Sequence, residues 1–226
     1  FRTHHLPYLR TVGTAVIANI AGEDESQFVS MAEALGQEPG LSAVELNISC
    51  PNVSHGLDLG VDPAIVERLV RRVKAVCPLP VIAKLTPNVT DIVAIARAAG
   101  AGGADAVSLI NTFKGMAINW RKRRPILAND LGGVSGPAIK PMALQMVWSI
   151  SRALPDLPII GIGGIWSADD ALEFLVAGAS AIQVGTANFA DPTACERLLD
   201  DLTRLLIENG IARVTDLVGT LRSNRE

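Results

Sequence analysis

Short apolar runs alternate along the chain with longer stretches of helical period. Each of six runs rich in Val and Ile is nearly continuous in apolar residues, which is typical of strands buried on both faces. The stretches between them repeat their apolar positions as helices do. The predicted strands are 14–21, 43–49, 80–86, 106–112, 158–164 and 181–187, and the predicted helices are 25–35, 63–76, 90–99, 139–153, 168–177 and 192–208.

This alternation predicts an α/β fold around a parallel sheet. The segments AGGADAV and AGASAI place helix-ending glycines directly before the next strand, as in a (β/α) barrel. Ser167 and Asp191 are the predicted N-caps of the last two helices, and Pro192 follows at the first helical position of the second. We therefore expect a single (β/α)8 TIM-barrel domain over residues 1–226, with about six of its eight strand–helix units present.

Polar residues and glycines gather at the carboxyl ends of the predicted strands. In a barrel these ends meet on one face, and that face carries the active site. The candidates for chemistry are therefore Asn19, Asn47, Lys84, Asn111, Thr112, Gly163, Gly164, Gly185 and Thr186.

Composition narrows the classes of function. The 226 residues are 49% hydrophobic with a net charge of −3, so the chain can form a sizeable core but offers no basic surface for nucleic acid. Every apolar run is shorter than the roughly 18 residues needed to span a bilayer. The three cysteines lack the spacing of a disulfide framework or a metal site, and a reducing cytoplasm fits them best.

Two strand ends are rich in glycine, GIGGI at 161–165 and VGT at 184–186. Such glycines can serve tight turns alone, or they can expose backbone amides to an anion. Their occurrence in consecutive units favours a phosphate site, because barrels commonly bind phosphate there.

Lys84 ends a strand in an apolar setting, where an unpaired ammonium is costly. A structural interpretation pairs it with Glu45 on the neighbouring strand. A functional interpretation sets it against an anionic cofactor or an electron-rich ring. The second is preferred, because Asn47 and Asn111 lie at matching depths on flanking strands.

Cys50 leaves a buried strand for a loop on the candidate active face, where a thiol could act as a proton acceptor or a nucleophile. His55 in the same loop is interpreted as a solvated residue, and Cys77 and Cys195 as inert packing. The basic segment WRKRR at 120–124 is interpreted as a solvated loop, with an acidic partner or substrate as the open alternative.

These features together resemble the dihydroorotate dehydrogenase family, and more closely its class 1B catalytic subunits. The resemblance covers nearly the whole chain, and the joint order of its motifs makes it specific. The motifs are ELNISCPNVSHG at 45–56, AKLTPNVTDI at 83–92, LINTFKGMAI at 109–118, ILANDLGGVSGPAIKPMAL at 126–144 and IIGIGGIWSADDALEFLVAGASAIQVGTANF at 159–189.

The resemblance implies an FMN-bearing barrel that oxidises (S)-dihydroorotate to orotate in pyrimidine biosynthesis. It implies that Cys50 is the catalytic base, taking a proton from C5 while a hydride passes from C6 to FMN. By the same match, Asn47, Asn111 and Thr112 are expected to contact the substrate. The expected FMN contacts are Asn19, Asn47, Lys84, Ile110, Gly136, Gly163, Gly164, Gly185 and Thr186.

Class 1B members pass electrons to NAD through a separate subunit that holds FAD and a 2Fe-2S cluster, so the resemblance implies such a partner and a homodimer core. The family's first two strands would precede Phe1, and we therefore expect an N-terminally incomplete barrel. Two alternatives stay open: a non-catalytic barrel fragment, and a flavoprotein like dihydropyrimidine dehydrogenase. Leu59 before GVDP at 60–63 argues against the second, whose active cysteine directly precedes a GQDP-like segment.

Overall fold

A computed structural model describes residues 1–49 and 59–224 of the chain. The chain divides into two compact units, one formed by Phe1–Leu85 with Ala94–Val107 and the other by Thr86–Val93 with Ser108–Glu226. Strands and helices alternate as predicted, apart from four short strands in succession and one extra short helix in the second unit.

The first unit holds the first three predicted strand–helix pairs. Its elements are α1 (His5–Leu9), β1 (Ile17–Ile20), α2 (Glu25–Gly36), β2 (Ala43–Asn47), α3 (Pro63–Val76), β3 (Val81–Lys84), most of α4 (Ile92–Ala101) and the start of β4 (Ala106–Leu109).

The strands of this unit lie in the order β1, β2, β3, β4. β1 pairs with β2 and β2 with β3, both in parallel. The register sets Asn19 opposite Glu45, and Asn47 opposite Lys84. Because parallel strands end at the same edge of a sheet, these polar residues come together at the carboxyl edge.

Two helices of this unit begin at aspartate N-caps. Asp24 caps α2 by accepting the Gln27 N–H at 2.9 Å. Asp62 caps α3 by accepting the Ala64 N–H at 2.8 Å, with Pro63 at the first helical position. The apolar face of α3 is buried, and the fully buried side chains at the centre of the unit include Phe28, Leu46, Leu69, Val73 and Val81.

The second unit starts at the carboxyl end of β4 and contains the remaining elements. These are β5 (Phe113–Gly115), β6 (Ile118–Asn119), β7 (Arg124–Pro125), β8 (Gly132–Val134), a 3-10 turn (Pro137–Ile139), α5 (Lys140–Ala153), β9 (Ile159–Ile162), α6 (Ala168–Ala177), β10 (Ala181–Gln183), α7 (Ala187–Ala190), α8 (Ala194–Glu208) and a last 3-10 turn (Val214–Leu217).

Here β9 lies next to β4, and β10 pairs in parallel with β9. Helices α5 and α6 pack on these strands through buried side chains such as Val147, Ile150 and Phe174. Between β4 and α5 the chain forms two short antiparallel pairs, β5 with β8 and β6 with β7. The basic segment at 120–124 forms the turn between β6 and β7 together with the first residue of β7, and its residues are exposed, as expected of a solvated loop.

All six predicted strands and helices are present, and they supply six strand–helix units of a (β/α)8 barrel. Ser167 caps α6 as predicted, in a reciprocal arrangement with Asp170. The prediction that Asp191 caps the last helix is wrong. Its side chain accepts from Thr193, which forms a turn, and α8 therefore begins two residues later than expected, at Ala194.

Candidate active site

The first unit brings three of the predicted site residues to neighbouring strand ends. Asn19 donates from Nδ2 to Glu45 Oε2 at 2.5 Å, and Glu45 is buried. On the adjoining strand Asn47 accepts from Ser49 Oγ at 2.9 Å and lies opposite Lys84. A buried carboxylate that accepts an amide hydrogen bond keeps that amide in one orientation. The edge thus presents two amides and one ammonium.

Lys84 is half-buried at the end of β3. In the described part of the chain its ammonium has no ion-pair partner, so the structural interpretation, an ion pair with Glu45, is not what the structure contains. A partly desolvated ammonium gains from a negative or electron-rich ligand. The functional interpretation of Lys84 stays a prediction from the sequence.

Cys50 and His55 lie outside the described residues. The described chain stops at Ser49, two residues after the end of β2, and resumes at Leu59. Their roles stay predictions from the sequence.

The second unit places Ile110, Asn111 and Thr112 in succession after β4. Ile110 is buried, and its N–H donates to the Ile162 carbonyl of β9 at 2.9 Å. Asn111 Oδ1 accepts the Thr112 N–H at 2.7 Å. Asn111 and Thr112 are both half-buried and carry amide and hydroxyl groups that can donate and accept.

Asn88 is a polar contact of this segment that sequence reasoning missed. Its Nδ2 donates to the Thr112 carbonyl at 3.1 Å and to Thr86 Oγ1 at 2.9 Å, and its Oδ1 accepts the Lys114 N–H at 3.0 Å. Asn88 follows the end of β3 just as the predicted residues follow their strands, and that position is the signal that could have identified it.

Three of the glycines expected to contact FMN have backbone conformations that favour glycine. Gly136, Gly163 and Gly164 have φ of 92°, 128° and 74°. A Cβ on Gly164 would lie 2.9 Å from the Lys140 nitrogen and 3.0 Å from the Gly136 carbonyl oxygen. The loop at Gly164 therefore lies directly against the segment from Gly136 to Lys140, and a side chain at Gly164 would separate them.

Gly185 differs from these three glycines. A Cβ there would meet no atom within 4 Å, so the space beside it is open. The neighbouring Thr186 hydroxyl donates to Ser135 Oγ at 2.9 Å, and the Thr186 methyl would lie 3.9 Å from a Cβ on Gly136. The structure thus bonds Thr186 to Ser135 and places Thr186 close to Gly136, while Gly185 next to it has open space at its side.

Lys140 is a second residue that sequence reasoning missed. Its Nζ lies 2.5 Å from Asp170 Oδ1 and 2.8 Å from Glu173 Oε2. The hydrogen bond to Asp170, followed by that to Glu173, raises the pKa of Lys140. The motif GPAIKP contained it, but a lysine in the first turn of a helix carries no sequence signal for a partner 30 residues away.

Two absences within residues 1–49 and 59–224 bear on the site. This part of the chain holds no group of three or more His, Cys, Asp or Glu side chains that could bind a metal ion. Nor does it contain a helix with the length and apolar character required to cross a bilayer.

Strand–helix repeats with amides, a lysine, hydroxyls and glycine turns at the carboxyl ends of parallel strands define an enzyme of the (β/α)-barrel class. Comparison with known proteins identifies its family. The family model described as dihydroorotate dehydrogenase matches residues 3–206, and the chain belongs to that family.

Several bacterial relatives are similar over almost the whole chain. The catalytic subunit of dihydroorotate dehydrogenase B (NAD(+)) from Geobacter sulfurreducens is 54% identical over 217 residues, which are 96% of this chain and 71% of that protein. The protein of the same name from Listeria innocua is 47% identical over 215 residues, 95% of this chain and 70% of its own length.

Proposed function

We propose that this chain oxidises (S)-dihydroorotate to orotate in pyrimidine biosynthesis, as the catalytic part of a dihydroorotate dehydrogenase. The observation that carries the proposal is the family match over residues 3–206, within which the candidate strand-end residues fall. The NAD(+)-linked relatives support the class 1B assignment.

FMN is the proposed cofactor, and the described residues fit its phosphate. Gly185 has open space beside it, and the hydroxyl of the adjoining Thr186 donates to Ser135 Oγ, so the Ser135 hydroxyl keeps its own hydrogen for a phosphate oxygen. Half-buried Lys84 supplies a positive charge suited to an electron-rich ring. The residues proposed to hold FMN are Asn19, Asn47, Lys84, Ile110, Gly136, Gly163, Gly164, Gly185 and Thr186. They belong to a single FMN-binding barrel domain in this proposal.

Residues of the chain bind the substrate and accept its proton. Asn47, Asn111 and Thr112 bind the pyrimidine ring, because their amide and hydroxyl groups match its alternating donors and acceptors. Cys50 takes the proton from C5 of dihydroorotate as its thiolate. When bound, FMN supplies the acceptor for the hydride that leaves C6.

The electrons then leave through a partner. The chain has three cysteines, too few to supply the four cysteine ligands of a 2Fe-2S cluster. We therefore propose a separate subunit with FAD and a 2Fe-2S cluster that reduces NAD, bound to a homodimer of this chain. The sparse cysteines also favour a cytoplasmic location.

Flavin spectroscopy tests this function. The purified chain, reconstituted with FMN, should show stoichiometric flavin absorbance and should be bleached by dihydroorotate. Cys50→Ala should still bind the flavin, but dihydroorotate should bleach almost none of it. Cys77 is buried, and in Cys77→Ala dihydroorotate should bleach the flavin normally. Failure to bind FMN would favour the non-catalytic fragment, and unchanged bleaching in Cys50→Ala would exclude Cys50 as the base.

The electron acceptor needs a separate measurement. The reduced chain should pass electrons to NAD when the iron-sulfur flavoprotein is added. Rapid reduction of fumarate by the lone chain would instead contradict the class 1B assignment.

A further inference from the structure

Asn88 joins two segments that follow different strands. Its side chain bonds Thr86, the second residue after β3, and both the carbonyl of Thr112 and the N–H of Lys114, which flank the start of β5. Thr86 is buried, and Asn88 is half-buried. The bonds therefore anchor the segment after β4 to a buried point.

The partners of Asn88 require a carboxamide. The Lys114 N–H can only donate and the Thr112 carbonyl can only accept, so one side-chain atom must accept and the other must donate. A carboxylate of the same shape would set an acceptor against the Thr112 carbonyl. An alanine would leave both backbone groups without this partner.

Thr112 is also confined from its other side. A Cβ on Gly133 of β8 would lie 2.7 Å from Thr112 Cβ, so the Thr112 side chain rests directly on the backbone of that strand. Its own N–H donates to Asn111 Oδ1, which links the two predicted substrate residues. Thr112 is therefore held in one position, with its side chain against Gly133 and its backbone carbonyl bonded to Asn88.

We propose that Asn88 is a positioning residue for the substrate pocket: it fixes the backbone of Thr112 so that Asn111 and Thr112 meet the pyrimidine ring in a preformed geometry. The proposal rests on the proposed function. Asn88 acts through these two residues, and it takes no part in holding the flavin. Its loss should therefore weaken binding of the pyrimidine and leave binding of FMN unchanged.

Asn88→Ala tests this role with orotate as the probe. Calorimetric titration of the FMN-loaded chain should give an orotate Kd raised about tenfold, the equivalent of one lost hydrogen bond. The KM for dihydroorotate should rise by a similar factor, with kcat within about twofold, since the lost contact serves ground state and transition state alike. Hydrogen exchange at the Lys114 amide should accelerate even without flavin.

Two further variants keep the result interpretable. Asn88→Asp retains the acceptor for Lys114 and removes the donor to Thr112, and at high salt, which screens its added charge, it should also weaken orotate binding. Asn209→Ala is the matched control, because Asn209 Nδ2 donates to the Leu205 carbonyl at 2.8 Å beyond α8, which supplies none of the candidate site residues.

The outcomes separate this proposal from the function on which it rests. Wild-type orotate affinity in Asn88→Ala, or an equal loss in Asn209→Ala, would overturn the positioning role and leave the enzyme assignment intact. An unmodified chain that binds FMN but neither binds orotate nor is reduced by dihydroorotate would overturn both.

Discussion

Lys140 and Asp170 form a short ion pair that joins the first residue of α5 to the first turn of α6, with Nζ 2.5 Å from Oδ1. The other oxygen of the same carboxylate accepts the N–H groups of Trp166 and Ser167 at 2.9 and 2.8 Å. Asp170 therefore closes the turn that follows Gly164, while Lys140 packs against Gly164 itself. The pair holds one of the predicted phosphate loops from both sides.

Asp170→Asn should destabilise the fold by about 1 to 2 kcal/mol, because it removes a charge-assisted bond and weakens a helix cap. Partial burial raises the pKa of Asp170, but the hydrogen bonds from Lys140, Trp166 and Ser167 outweigh it and hold that pKa below its ordinary value. A lowered folded pKa means that the stabilisation is present above about pH 4 and is lost as pH falls further.

Urea unfolding across pH checks this prediction. The difference between wild type and Asp170→Asn should be constant from about pH 5 to about pH 8 and should shrink below about pH 4. Asp169→Asn is the matched control, since Asp169 is exposed in the same helical turn, and it should change stability by less than about 0.5 kcal/mol. A difference between wild type and Asp170→Asn that persisted undiminished in acid would contradict the role of the ionised pair.

Gly185→Ala should weaken FMN binding without changing stability, whereas Gly164→Ala should lower stability. Gly185→Ala adds a methyl group to open space, so unfolding of the flavin-free chain should change by less than about 0.5 kcal/mol. If phosphate occupies that space, FMN affinity should fall about tenfold or more. Gly164→Ala forces a side chain into a left-handed conformation against Lys140, and should cost at least about 1 kcal/mol of stability.

Binding of FMN and of riboflavin by each variant completes that comparison. Riboflavin lacks the phosphate, so Gly185→Ala should weaken FMN binding more than riboflavin binding. Equal losses for both ligands would place the phosphate elsewhere.

The sequence predicted the elements better than it predicted their contacts. The strands from β1 to β4, with β9 and β10, were found because buried parallel strands are short apolar runs. The pairs formed by β5 to β8 were missed, because strands of two or three residues rich in Gly, Arg and Lys show no period.

The site residues show the same difference between position, which the sequence predicts, and contacts, which it does not. Strand-end position alone selected Asn47, Lys84 and Thr112, since the fold class fixes where strand ends lie. Asn88 and Lys140 act through partners 24 and 30 residues away, and such pairings depend on how the chain packs. Whether a glycine faces open space, as Gly185 does, or a neighbour, as Gly164 does, likewise appears only in three dimensions.

Lys84→Met should lower FMN affinity without lowering stability, whereas Lys74→Met should lower stability without changing FMN affinity. Lys84 has no ion-pair partner in the described residues, so its removal should leave the unfolding free energy unchanged or raise it by up to about 1 kcal/mol. FMN affinity should fall by about tenfold to a hundredfold, the range for a hydrogen bond to a charged group. Fluorescence titration with FMN and urea unfolding measure the two quantities.

Lys74 is the matched control, because its removal should lower stability and leave FMN affinity unchanged. Its Nζ lies 2.8 Å from Asp105 Oδ2, and the same oxygen accepts the Val81 N–H at 2.7 Å, where β3 begins. Lys74→Met should therefore cost up to about 1 kcal/mol of stability and leave FMN affinity unchanged, because the pair lies at the amino end of the strand. Equal effects of the two substitutions on FMN binding would show that Lys84 acts through general charge and not through contact with the flavin.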